Sequence, residues 1–197
     1  MNEVLAISDV SMEIGCPEGL LGSFVADLVL EESRKKFGGR VDLCVLNNGG
    51  LRTPIMKGEV TRGMVFELMP FENELVVIKM KGDSVASLIN YIANRSMDAS
   101  SVKLGVPISG MRIRIGGGEI SEVRVGVQKF NIDSTYAVVT SDYLASGGDN
   151  MVFFSGEIES SSLGVKLRDV IMNKVIEMGK MGNHIRAELD GRVYVAE

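Results

Sequence analysis

Residues 41–52 read Val-Asp-Leu-Cys-Val-Leu-Asn-Asn-Gly-Gly-Leu-Arg. Val41 to Leu46 is a short and almost wholly apolar run, stopped abruptly by Asn47-Asn48-Gly49-Gly50. A strand with one wet face alternates apolar and polar positions, whereas a strand covered on both faces is apolar at consecutive positions. The stretch therefore predicts a central, doubly covered strand that runs into a tight loop.

On its N-terminal side, residues 3–10 predict a strand and residues 19–36 a helix. Leu21, Phe24, Val25, Leu28 and Val29 recur in that helix at the spacing of one buried face, and Gly38-Gly39 ends it. On its C-terminal side, Glu74 to Lys81 predicts a strand. Gly82 to Arg95 predicts a helix carrying Val85, Leu88, Ile89 and Ile92 on one face. Met111 to Ile115 alternates, and Gly116-Gly117-Gly118 turns it into a second strand, Ile120 to Val127. Tyr136 to Thr140 is a further apolar strand, followed by a Gly-rich loop at Ser146 to Asp149. Leu163 to Met178 has the period of a long helix through Leu163, Leu167, Val170, Ile171 and Val175, and Asp190-Gly191 predicts a hairpin turn. Strands and helices mix without strict alternation, and no linker or repeat divides the chain. The expectation is one α+β domain over residues 1–197, with packed helices on a mixed β-sheet.

Composition excludes several classes of function. The net charge of -5 offers no footprint for nucleic acid. No apolar run approaches the ~20 residues of a membrane span. A single histidine, His184, cannot furnish a two-metal phosphoesterase centre, and no paired-histidine or EF-hand spacing occurs. His184 itself reads as a surface residue near a strand. The two cysteines, Cys16 and Cys44, match neither a zinc cluster nor a disulfide framework, and spacing leaves their pairing open.

Three loops carry chemistry. Asn47 to Arg52 is a glycine-rich turn after a buried strand, where backbone N–H groups can approach a ligand and the Arg52 fork suits phosphate or carboxylate. Pro70-Phe71-Glu72-Asn73 places an aromatic ring in a loop. Tyr143 stands six residues before Asp149, across Gly147-Gly148. Each has a plainer reading: a strand-ending turn, a core ring, an Asx cap.

Taken together and in order, Leu46-Asn47-Asn48-Gly49-Gly50-Leu51-Arg52, Gly58-Glu59-Val60-Thr61 with Met69-Pro70-Phe71-Glu72-Asn73, and Thr140 through Asp149 form a specific set. It resembles the N-G-G-G-I-R, G-x-I-T, P-F-x-N and N-x-(F/Y)-L-A-x-G-G-D elements of the C-terminal, substrate-binding domain of the 5′-nucleotidase and UDP-sugar hydrolase family. The resemblance runs from about Glu18 to Met178. It implies a nucleotide or nucleoside ligand, with the base between Phe71 and Tyr143 and the ribose on Asp149. Asn47, Gly49, Gly50, Arg52 and Gly148 complete the implied site. It further implies no cofactor in this chain, divalent metals only on a separate metallophosphoesterase chain, and a periplasmic or extracellular location. Two features depart from the family. Asn48 replaces a glycine, which its tolerance of positive φ would accommodate, and Gly15 to Ser23 lacks an arginine that the family places before the first helix. A free-standing nucleoside-binding protein and an interaction domain with a decayed cleft fit the same residues.

Overall fold

The computed structural model describes residues 1–98 and 100–196. In chain order the elements are β1 (Val4–Ser8), α1 (Leu20–Lys36), β2 (Leu43–Val45), β3 (Gly58–Thr61), α2 (Arg62–Leu68), β4 (Glu74–Lys81), α3 (Gly82–Met97), β5 (Ile108–Ser109), β6 (Met111–Gly116), β7 (Glu119–Val125), β8 (Gln128–Lys129), β9 (Thr135–Ser141), α4 (Asp142–Ala145), β10 (Glu159–Lys166), α5 (Leu167–Lys180) and β11 (Val193–Val195).

The central sheet has the order β10-β4-β9-β2-β5. Its β2–β9 pair is parallel and its other pairs antiparallel. Side chains on successive residues enter opposite cores, as the pleat demands. Cys44, Leu46, Leu75, Val77 and Val139 join one apolar cluster with α1 and α5. Leu43, Val45, Ile78, Met80 and Val138 join another with α3, β6 and β11. The sheet is thus a wall between two cores, which is why residues 41–46 are apolar almost without a gap.

Among the described residues the strands form three sheets, two of them mixed. A second sheet has the order β11-β6-β7-β8, and β1 and β3 form a two-stranded antiparallel sheet. Arg192, 8% exposed, ties the second sheet to α1: it donates to Asp27 on α1, to Asp190 and to the Ile108 carbonyl on β5.

Two expectations need correction. The helical period at Leu163 to Met178 begins four residues early, because Glu159 to Ser162 pair with β4 and the chain bends at Gly164, φ +61°, before α5 starts at Leu167. Here strand pairing overrides a spacing that also fits a helix. Asp190-Gly191 makes no hairpin either, since β11 enters parallel to β6 and Asp190 instead accepts from Arg112 and Arg192. His184 is exposed, with Nδ1 2.6 Å from the Asp9 carboxylate, beside the Ser8–Ile185 bridge.

Both cysteines are free thiols, Cys44 fully buried in β2 and Cys16 half-buried. Burial pushes the Cys44 thiol well up and the Cys16 thiol up less far. A thiol-reactive probe should therefore label Cys16 in the native protein and reach Cys44 only on unfolding. Mass spectrometry of the labelled protein checks this; native labelling of Cys44 would contradict the placement of β2.

Candidate functional site

Strand direction decides where the loops go. β2 and β9 are parallel neighbours, so the loops after them leave the sheet at the same end. β4 is antiparallel to β9, with Leu75 opposite Ser141, so the loop before β4 emerges there too. β10 is antiparallel to β4, with Lys166 opposite Glu74, which brings the start of α5 to that same end. Four segments remote in sequence converge for this reason alone. They enclose a cleft of about 300 Å³ lined by Asn47, Gly49, Gly50, Met69, Phe71, Asn73, Ser141, Tyr143, Asp149 and Leu167.

Six of the eight residues singled out from the sequence line it, and two do not. Gly148 lies behind Tyr143: a Cβ there would sit 2.6 Å from the ring, so only glycine lets the ring lie down on this loop. Arg52 is exposed, lies outside the lining, and donates its backbone N–H to the Leu68 carbonyl.

The rings are not core residues. Phe71 is 43% exposed and Tyr143 46%, where a packed core ring would be buried. On the polar side, Asp149 adopts a left-handed backbone, φ 53° and ψ 27°, which few non-glycine residues occupy without support. The support is visible. Tyr91 donates its hydroxyl to the Asp149 carbonyl at 2.8 Å. Tyr143 donates to one carboxylate oxygen at 2.9 Å, and the Asn47 amide to the other at 2.7 Å. The Asp149 carboxylate holds the Tyr143 phenol in its neutral form and raises its pKa. Burial does the same for Tyr91. An ionised carboxylate has about four acceptor positions, so Asp149 retains room for a diol.

Gly49 and Gly50 serve close approach rather than positive φ. A Cβ at either would come within 3.3 Å or 3.2 Å of the Asn47 amide that reaches for Asp149. Asn48 also differs from expectation. It is not among the positive-φ residues; it is buried at 2% exposure, and its amide donates to the carbonyls of Gly15 at 2.9 Å and Val102 at 2.7 Å. The asparagine is there for its side chain, which fastens the stretch before α1 and the segment after α3 to the cleft loop.

Met69, Asn73, Ser141, Leu167 and Tyr91 are site residues that the sequence did not single out. Asn73 stands in the Phe71 motif and was within reach. Leu167 and Tyr91 sit in helical periods that look like core, and nothing local marks them. A second depression, of about 260 Å³, opens at the other end of the sheet between Phe37, Val77 and Ala137, but it gathers none of the three motif loops. Among the described residues, no group of three or more His, Cys, Asp or Glu is placed to hold a metal ion. The donor set therefore does not fit a two-metal centre. No helix among the described residues is long and apolar enough to cross a membrane.

The family model for the 5′-nucleotidase, C-terminal domain, matches residues 4–156. This chain belongs to that family. It is 25% identical to the Trifunctional nucleotide phosphoesterase protein YfkN of Bacillus subtilis over 98% of its own length and 14% of that protein's. It is 31% identical to a 5′-nucleotidase of Vibrio vulnificus over 59% of its length and 21% of the relative's. Its fold is similar to that of a 5′-nucleotidase precursor from Thermus thermophilus, with a TM-score of 0.86, 24% identity, and coverage of 99% of this chain and 40% of that one. The NAD nucleotidase of Haemophilus influenzae gives 0.78 at 19% identity, over 100% and 39% of the two chains. The chain therefore spans well under half the length of these proteins.

The buried amide of Asn48 yields a prediction. Asn48→Ala removes the buried amide that bridges the Gly15 and Val102 carbonyls and should destabilise the fold by roughly 1–3 kcal/mol. Urea unfolding followed by circular dichroism measures it; an unchanged midpoint would show that water replaces the amide without loss.

Proposed function

We propose that the cleft binds the nucleoside part of a nucleotide, with the base between Phe71 and Tyr143 and the ribose hydroxyls on Asp149. The carrying observation is the meeting of two exposed rings and one braced carboxylate in a single cleft. A nucleoside has those two parts joined: a flat base with two π-faces, and a diol that donates to an anion. Asn47 would hold the carboxylate's far oxygen and keep it facing the sugar. Arg52, outside the lining, would reach phosphate only.

Hydrolysis is assigned to a metallophosphoesterase domain outside these 197 residues, whose two metals would polarise the phosphate and activate water. The 197 residues themselves would supply positioning of the substrate. A periplasmic or extracellular location accompanies this reading and rests on the family resemblance.

Calorimetric titration with adenosine and with its 5′-monophosphate tests the proposal. Stacking on one ring is worth roughly 1–3 kcal/mol, so Phe71→Ala and Tyr143→Ala should each weaken adenosine binding about ten-fold or more. Arg52→Ala should weaken the nucleotide alone. Unchanged affinity in both ring variants would reject the clamp. Absence of binding by the wild type would favour a decayed cleft or one completed by another domain.

These 197 residues should hydrolyse no nucleotide at an enzymatic rate when divalent metal is added. Metal-dependent phosphatase activity that tracks with the protein through successive purification steps would overturn the assignment of chemistry elsewhere.

A further inference from the structure

The family model matches residues 4–156, and one residue of the cleft lining, Leu167, lies C-terminal to that span. Leu167 lines the cleft, and its backbone N–H donates to the Asn73 carbonyl at 2.9 Å. Lys166 and Arg168, on either side of it, both turn to Glu72. Lys166 Nζ lies 2.5 Å from one carboxylate oxygen and Arg168 Nη2 2.5 Å from the other. Arg168 also donates to the Pro70 carbonyl at 3.3 Å, and its guanidinium stands 4.7 Å from the centre of the Phe66 ring on α2. Residues 70–73, with Phe71 among them, are thus fastened at Pro70, Glu72 and Asn73 to the start of α5.

Helix electrostatics bears on this pairing, in which Arg168 is nearly buried while Glu72 and Lys166 reach solvent. The N-terminal end of a helix carries partial positive charge, so cations there are unfavourable. α5 nevertheless opens between Lys166 and Arg168, with Asp169 as the acid of its first turn, and Arg168 is 9% exposed. Glu72 supplies an anion beside these two cations. Together they hold the Glu72 carboxyl down at about 2. Its folded value is depressed, so the ionised pairing is complete above the usual carboxylate range and lost only as pH falls towards that value.

We propose that Glu72, Lys166 and Arg168 are positioning residues for the Phe71 loop, and that the start of α5, beyond the family match, is thereby part of the ligand site. The fastening stands on its own geometry, and its effect on affinity rests on the nucleoside reading above.

The chain contains no tryptophan, so Phe71→Trp creates a single indole reporter at the site. In that background, Glu72→Gln, Lys166→Ala and Arg168→Met should each lower the anisotropy and raise acrylamide quenching about two-fold, as expected of a loop released from its anchor. With Phe71 restored, the same substitutions should weaken adenosine binding roughly three- to ten-fold. Arg168→Lys keeps the charge but loses the fork and should recover part of both signals. Glu72 is exposed, so Glu72→Gln decides the matter even where Arg168→Met fails to fold. An unaltered indole signal in Glu72→Gln and Lys166→Ala, with native circular dichroism, overturns the fastening. A loosened loop with unchanged adenosine affinity overturns its role in the site. A wild type that binds no adenosine sinks the nucleoside reading, while the indole signal still decides the fastening.

Discussion

A sheet that is covered on both faces has only its ends left for chemistry, and the placement of the cleft is a consequence of that constraint. The side chains of β2, β4 and β9 are divided between two apolar clusters. No polar group can project from the middle of such strands without being buried, and burial without a partner is costly. Where a polar side chain does occur there, it is satisfied at once: the buried Thr140 hydroxyl donates to the Val45 carbonyl at 2.8 Å. Polar groups meant for a ligand are displaced to the loops, and strand direction then decides which loops meet. One parallel pair and two antiparallel pairs bring the loops after β2, before β4 and after β9, with the start of α5, to one end.

Much of this is legible in the sequence because it is local. The apolar run at 41–46, the alternation in β6 and the helical periods of α1 and α3 are direct records of which faces are covered. The residues at the cleft are recognisable as three loops whose order matches a known family. What fails is information held across the chain. Leu163 and Leu167 obey a helical spacing, yet the first lies on β10 because β4 is available as a pairing partner for that strand. Asn48 looks like a glycine replaced within a turn, yet its amide serves carbonyls 33 and 54 residues distant in sequence. Tyr91 and Leu167 belong to amphipathic helices, and no local feature separates a residue at the rim of the core from one that braces a site.

The polar half of the cleft is braced from within. Asp149 is held in a strained backbone conformation by Tyr91, and both its carboxylate oxygens are already engaged by Tyr143 and Asn47. Strain of this kind costs of order 1–3 kcal/mol and persists only where surrounding contacts over-determine it. Three hydrogen bonds converging on Asp149 meet that condition. In the proposed reading, a carboxylate fixed in this way would lose little freedom on binding a diol, so more of the interaction energy would appear as affinity.

The two rings are held by different means, and this asymmetry has consequences for recognition. Tyr143 rests on Gly148, shares a hydrogen bond with Asp149 and sits on the four-residue α4 at the end of β9. Its position is therefore tied to that of the carboxylate, so that in the proposed reading one loop would set the spacing between base and sugar. Phe71 has no such tie. Its loop depends on ion pairs and a main-chain bond to α5, contacts that tolerate small shifts better than a ring packed on a glycine. In the proposed reading, one jaw is fixed to the ribose acceptor and the other can track the face of the base. Stacking is indifferent to base identity, whereas the hydrogen-bonded carboxylate demands hydroxyls in a defined place. Such a cleft would be strict about the sugar and permissive about the base, because its rigidity is concentrated where the polar contacts are.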